Sequence, residues 1–128
     1  MKKAPIILAL LFAFSLPGAT SAKSWEYLGE AHVDGNADHD KIKVGHKEGL
    51  FRALQLRVDR GAIAFRHVIV HYSNGTNEQV QVRQRINAGG ATRVIDLRGN
   101  ERSIDNVEIW YERANYGSNR PRVRLYGR

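Results

Sequence analysis

The sequence predicts an all-β protein: a single antiparallel β-sandwich of about eight short strands, jelly-roll-like and preceded by a cleaved signal peptide. Three observations lead there. Apolar and polar residues alternate with a period of two, which sends successive side chains to opposite faces of a strand. Glycine, asparagine and aspartate fall between the alternating runs at the spacing of short strands. No stretch has both the length and the period of about 3.6 residues that a stable helix needs.

The chain opens with a short basic start, Met1-Lys2-Lys3, followed by an apolar run from Ile6 to Leu16 and a small-residue exit, Pro17-Gly18-Ala19-Thr20-Ser21-Ala22. That is the layout of a secretory leader cut after Ala22. The apolar run is shorter than the roughly 18–20 residues that span a bilayer, so a retained transmembrane segment is not expected. Residues 1–22 are therefore read as the signal peptide and 23–128 as one β-sandwich domain, periplasmic or secreted from a bacterium.

Within that domain the predicted strands are Trp25 to Val33, Lys41 to Val44, Leu50 to Val58, Val68 to Tyr72, Val80 to Val82, Thr92 to Leu97, Val107 to Tyr111 and Arg122 to Tyr126. Asp59-Arg60-Gly61 suits a three-residue hairpin loop with Gly61 at positive φ, and Asn74-Gly75 suits a two-residue type I′ turn. Gly89-Gly90 and Arg98-Gly99-Asn100 mark the next connections, and Asn115 to Pro121 a longer loop.

Charge and composition narrow the function. The chain has 20 Lys+Arg against 13 Asp+Glu, a formal net charge of +7 that falls to +5 once Lys2 and Lys3 leave with the leader. A basic exported domain points to an anionic envelope glycan or lipid, or to a protein partner, whereas export removes nucleic acid as a physiological target. Cysteine is absent, which excludes disulfides, a thiol nucleophile, a thiolate metal site and a lipidated N-terminal cysteine. Neither a Gly-x-Ser-x-Gly elbow, a His-Glu-x-x-His helix nor a phosphate-cradling loop occurs. No catalytic residue is assigned, and the expectation is a non-enzymatic binding module. A small hydrolase would need carboxylates such as Asp96, Glu101, Asp105 and Glu108 to converge only on folding.

Three stretches carry a family likeness: Asp38-His39-Asp40-Lys41-Ile42-Lys43-Val44-Gly45, Val68-Ile69-Val70-His71-Tyr72-Ser73-Asn74-Gly75, and Gly89-Gly90-Ala91-Thr92-Arg93-Val94-Ile95-Asp96-Leu97. Together they resemble a family of small exported bacterial proteins catalogued as a domain of unknown function, over most of the chain from Trp25 to Gly127. The resemblance implies a single all-β domain behind a signal peptide and carries over no catalytic residues.

Four groups of residues are candidates for chemistry. Asp34, Asn36, Asp38 and Asp40 place oxygen ligands at alternate positions, as at the start of a Ca²⁺-binding loop, which would make the protein a metal-stabilised structural domain. The pattern departs where His39 replaces the turn glycine and Gly45 the closing glutamate, and Asx-turn chemistry is the competing account. His67 and His71 lie roughly 13 Å apart along an extended strand, too far to share one ion. Arg83 and Arg85 share a strand face, as do Arg122 and Arg124, so either pair offers two guanidinium forks to phosphate or carboxylate groups. The competing role for these arginines is ion pairing with Glu78, Glu108 and Glu112 on a solvated sheet face. Trp110 and Tyr111 must point to opposite faces, and an exposed Trp110 would serve to stack on a sugar ring.

Overall fold

The computed structural model describes residues 24–128, so the leader assigned to residues 1–22 lies outside the described part. Nine strands form: β1 (Glu26–His32), β2 (His39–Lys43), β3 (Leu50–Phe51), β4 (Ala53–Asp59), β5 (Ile63–Tyr72), β6 (Asn77–Ile86), β7 (Ile95–Asp96), β8 (Arg102–Tyr111) and β9 (Arg122–Gly127). The only helical element among the described residues is a single 3₁₀ turn, His46–Glu48. Sheet A has the order β1-β9-β4-β7 and sheet B the order β2-β8-β5-β6, with β3 also paired to β8. Every strand pair is antiparallel.

The inward faces of both sheets meet in one apolar core. Leu56, Val123 and Leu125 from sheet A and Val70, Ile104, Val107 and Ile109 from sheet B are fully enclosed there. Each such side chain contributes about 1.5–3 kcal/mol through burial, and with no cysteine present this packing carries the fold.

The ninth strand corrects the expected eight. The predicted run from Leu50 to Val58 divides at Arg52, because Leu50 and Phe51 pair with β8 while Ala53 onward pairs with sheet A. The break is held where the Arg52 and Ala53 amides both donate to the Arg128 carbonyl, at 2.7 and 3.0 Å. The predicted strand from Thr92 to Leu97 shrinks to the two residues of β7. Thr92 is instead buried against β4, its amide donating to the Leu56 carbonyl and its Oγ1 accepting from the Leu56 amide at 3.1 Å. A side-chain oxygen there takes the place of a ladder carbonyl, and regular pairing stops.

Two turns also differ from expectation. Arg60, not Gly61, takes the left-handed conformation, with φ of 75°. Gly61 is required for space: a Cβ on it would lie 2.5 Å from the Asn119 carbonyl oxygen. At Asn74-Gly75 only the glycine has positive φ, 91°, and the Gly75 amide donates to the Tyr72 carbonyl while Tyr72 pairs with Thr76. This is a three-residue loop, a turn followed by a left-handed glycine, in place of the expected type I′ pair.

Candidate functional site

The candidate site grows from an irregularity in β6. Phe65 faces Gln84 but His67 faces Gln81, so β6 carries one residue more than β5 across this step. Such a bulge bends its strand and re-aims the side chains next to it. Here it puts Arg83 at φ 50°, a left-handed conformation uncommon for a side chain of this size. An open cleft of about 470 Å³ results, lined by Arg66, His67, Gln81, Arg83, Arg85 and Glu112 among others.

Positive charge is in excess in this cleft. Among the described residues Arg66, Arg83 and Arg85 form no ion pair, whereas Arg52, Arg98, Arg122 and Arg124 each sit beside a carboxylate. Arg83 Nε donates to Gln81 Oε1 at 3.2 Å, which steadies its guanidinium without neutralising it. Glu112 is the single acid in the lining. The cleft therefore carries several guanidinium donors in its lining, a group that recognises carboxylate and phosphate oxygens.

The two predicted arginine pairs thus separate. Arg83 and Arg85 line the cleft together, while Arg122 and Arg124 lie on the outer face of sheet A beside Asp59 and Glu30, not the expected Glu78, Glu108 and Glu112. Arg122 Nε and one terminal nitrogen donate to the two carboxylate oxygens of Asp59, at 2.9 and 2.6 Å. These bonds hold the Asp59 carboxyl below the usual carboxylate range and raise Arg122 further. Arg124 lies 3.7 Å from Glu30 and 4.0 Å from Asp59. Of the expected acidic partners, Glu78 lies 3.7 Å from Arg98 and Glu108 bonds His71, 2.7 Å from Nε2, whereas Glu112 forms no ion pair among the described residues.

Beside the cleft, the outer face of sheet B carries a row of rings. Register places His39 of β2, Trp110 of β8 and His67 of β5 side by side. The His39 imidazole lies 4.2 Å from the Trp110 ring at 14°, and His67 lies 5.6 Å away at 17° on the other side. Trp110 is half-buried, with its Nε1 enclosed and unpartnered. Both faces of the indole are occupied by imidazoles, and only its edge is left for a ligand. His67 joins the two features, since it lines the cleft and stacks on Trp110. Tyr111 points inward as the alternation requires and donates to Asp40 Oδ2 at 2.6 Å; burial and this bond push its hydroxyl pKa well above the ordinary value.

The acidic loop has separate engagements. Asp34 Oδ1 accepts from the Asn36 amide at 2.9 Å, an Asx turn. Asp38 lies 3.1 Å from His39 Nδ1, a bond that lowers its carboxyl pKa, and Asp40 binds Tyr111. Among the described residues no three acidic or histidine side chains group to hold a metal ion. Nor do the clefts lined by Arg83, Arg60, Asp34 or Asp59 carry two carboxylates.

From sequence Arg60 is only a turn residue and Arg66 only one arginine among several on or beside strands, and Arg113 is not named. Their proximity comes from the β6 bulge, from the extra residue that β5 carries at Arg66 opposite β8, and from the packing of the β8–β9 loop, and none of these has a signature in local sequence.

The family description for Domain of unknown function (DUF2541) matches residues 6–127, nearly the whole chain. The chain belongs to this family. No curated protein matches it. Among solved structures it is similar to AlgX of Pseudomonas aeruginosa, at 14% identity and a TM-score of 0.47. That likeness covers 79% of this chain and 26% of the other, so the chain spans about a quarter of that structure's length. No helix among the described residues is long and apolar enough to cross a membrane.

Proposed function

We propose that this DUF2541 chain is an exported, non-enzymatic binding module, a jelly-roll-like sandwich that takes an anionic envelope component in the cleft of Arg66, Arg83 and Arg85. The observation that carries the reading is the contrast between arginines: these three line one cleft and form no ion pair among the described residues, while those of β9 are already paired. The strand orders of the two sheets support the jelly-roll winding, since the chain changes sheet at most of its connections. The leader-like first 22 residues support export.

The test uses charge-matched variants. Binding to immobilised polygalacturonate and to phosphatidylglycerol vesicles is measured at rising salt for the native protein, Arg83→Ser/Arg85→Ser and Arg122→Ser/Arg124→Ser. Loss of the cleft pair should weaken binding at least tenfold, and the β9 pair should matter much less although the formal charge change is equal. Equal effects of both variants would reduce the interaction to net charge and sink the cleft reading. Export is tested separately, by sequencing the N-terminus of protein recovered from the periplasm, expected to begin at Lys23.

A further inference from the structure

We infer that the ligand is an extended segment of an acidic polysaccharide, lying along a groove that continues from the arginine cleft past the β8–β9 loop. This rests on the anion-binding reading above and deepens it. A second cleft of about 390 Å³ shares Ala64, Arg85 and Glu112 with the first and adds Arg60 and Arg113. Neither added arginine forms an ion pair among the described residues. Five guanidinium groups without an ion pair among the described residues thus line one open trough, an arrangement suited to charges repeated along a chain.

Neutral groups fall between those charges. Gln81, Gln84 and Asn115 each have their amide oxygen engaged within the protein: Gln81 accepts from Arg83 at 3.2 Å, Gln84 from the Arg93 amide at 3.0 Å and Asn115 from the Gly117 amide at 3.0 Å. An amide anchored through oxygen turns its NH₂ donors outward. Glu112 lies in the shared middle of the groove, where its carboxylate accepts from hydroxyl donors and repels a dense polyanion. Hydroxyl groups alternating with carboxylates satisfy this set; an unbroken run of phosphates does not. A lipid surface fits less well, because the exposed large apolar side chains, Tyr27 and Leu50, line neither cleft.

The experiment compares galacturonic acid, hexagalacturonate, inorganic polyphosphate and phosphatidylglycerol vesicles as ligands of the purified protein by calorimetry. Affinity should rise at least tenfold from galacturonic acid to hexagalacturonate. Arg113→Ser should lower hexagalacturonate affinity at least threefold and leave galacturonic acid unchanged, and Glu112→Gln should weaken hexagalacturonate while strengthening polyphosphate. Equal affinity for monomer and hexamer would overturn the extended groove but leave the anion site standing. Tighter binding of polyphosphate or vesicles than of hexagalacturonate would overturn the polysaccharide assignment. Indifference of every ligand to Arg83→Ser/Arg85→Ser would overturn the anion reading itself.

Discussion

Arg122 holds Asp59 through two parallel N–H···O bonds of 2.9 and 2.6 Å, joining the last strand of sheet A to the end of β4. Bidentate pairing of this kind fixes orientation as well as charge. It separates two arginine pairs with the same sequence spacing: Arg122 and Arg124 sit beside carboxylates, whereas Arg83 and Arg85 form no ion pair among the described residues.

That pair makes stability depend on acid. Because the Asp59 carboxyl is held below its ordinary value by Arg122, the stabilisation is present above the unfolded pKa of about 3.9 and is lost as pH falls through the lower folded value. Both side chains are partly exposed, so Asp59→Asn should cost about 0.5–1 kcal/mol at pH 7. Urea unfolding at pH 7 and again near pH 2 should show the cost at neutral pH and its disappearance in acid. An equal loss at both pH values would mean that packing, not charge, was removed.

Arg83 sits in the left-handed region at φ 50°, and Arg83→Gly relieves roughly 1–2 kcal/mol of backbone strain against about 0.5–1 kcal/mol of added chain entropy. The variant should melt at the native temperature or up to about 5 °C above it, while losing anion affinity. Thermal unfolding and binding measured on the same sample check this. A large fall in melting temperature would show that the side chain holds the bulge together.

Gly61→Ala and Gly75→Ala separate two uses of glycine. Alanine at 61 would bring Cβ within 2.5 Å of the Asn119 carbonyl, a backbone atom that cannot simply rotate away, at a cost of about 1–3 kcal/mol. Alanine at 75 meets open space and is penalised only for φ of 91°, about 1 kcal/mol. Only the first displaces the β8–β9 loop, so only Gly61→Ala should also weaken hexagalacturonate binding. Melting curves and titrations of the two variants, side by side, decide the matter.

Calcium should leave the protein unchanged. Asp34, Asp38 and Asp40 have different hydrogen-bond partners, and Arg113 lines the same cleft as Asp34 and Asn36, where its charge opposes a cation. Melting curves in EDTA and in millimolar Ca²⁺ should superimpose. A rise on the order of 10 °C, abolished by Asp38→Ala, would establish the metal site instead.

Strand content was legible because alternation at a period of two is a local property. Val68, Val70 and Tyr72 turn inward and His67, Ile69 and His71 outward as their sequence order requires, and Tyr111 is core because Trp110 is not. The turn at Asn74-Gly75 was located correctly but assigned the wrong type, since loop length depends on which residues pair on either side. Division of the run from Leu50 to Val58 was invisible for the same reason: β3 and β4 differ in partner, not in pattern.

The sequence by itself determined the all-β class, the alternation of faces along each strand, the absence of disulfides and the basic charge. Each follows from composition or from the fixed geometry of an extended chain. Only the tertiary structure decided which arginines pair with carboxylates, that imidazoles stack on Trp110 from both neighbouring strands, and that Arg60 and Arg113 extend the cleft of Arg66, Arg83 and Arg85. Ion pairing and ring stacking act across strands distant in sequence, and a one-residue bulge in β6 chooses what meets there.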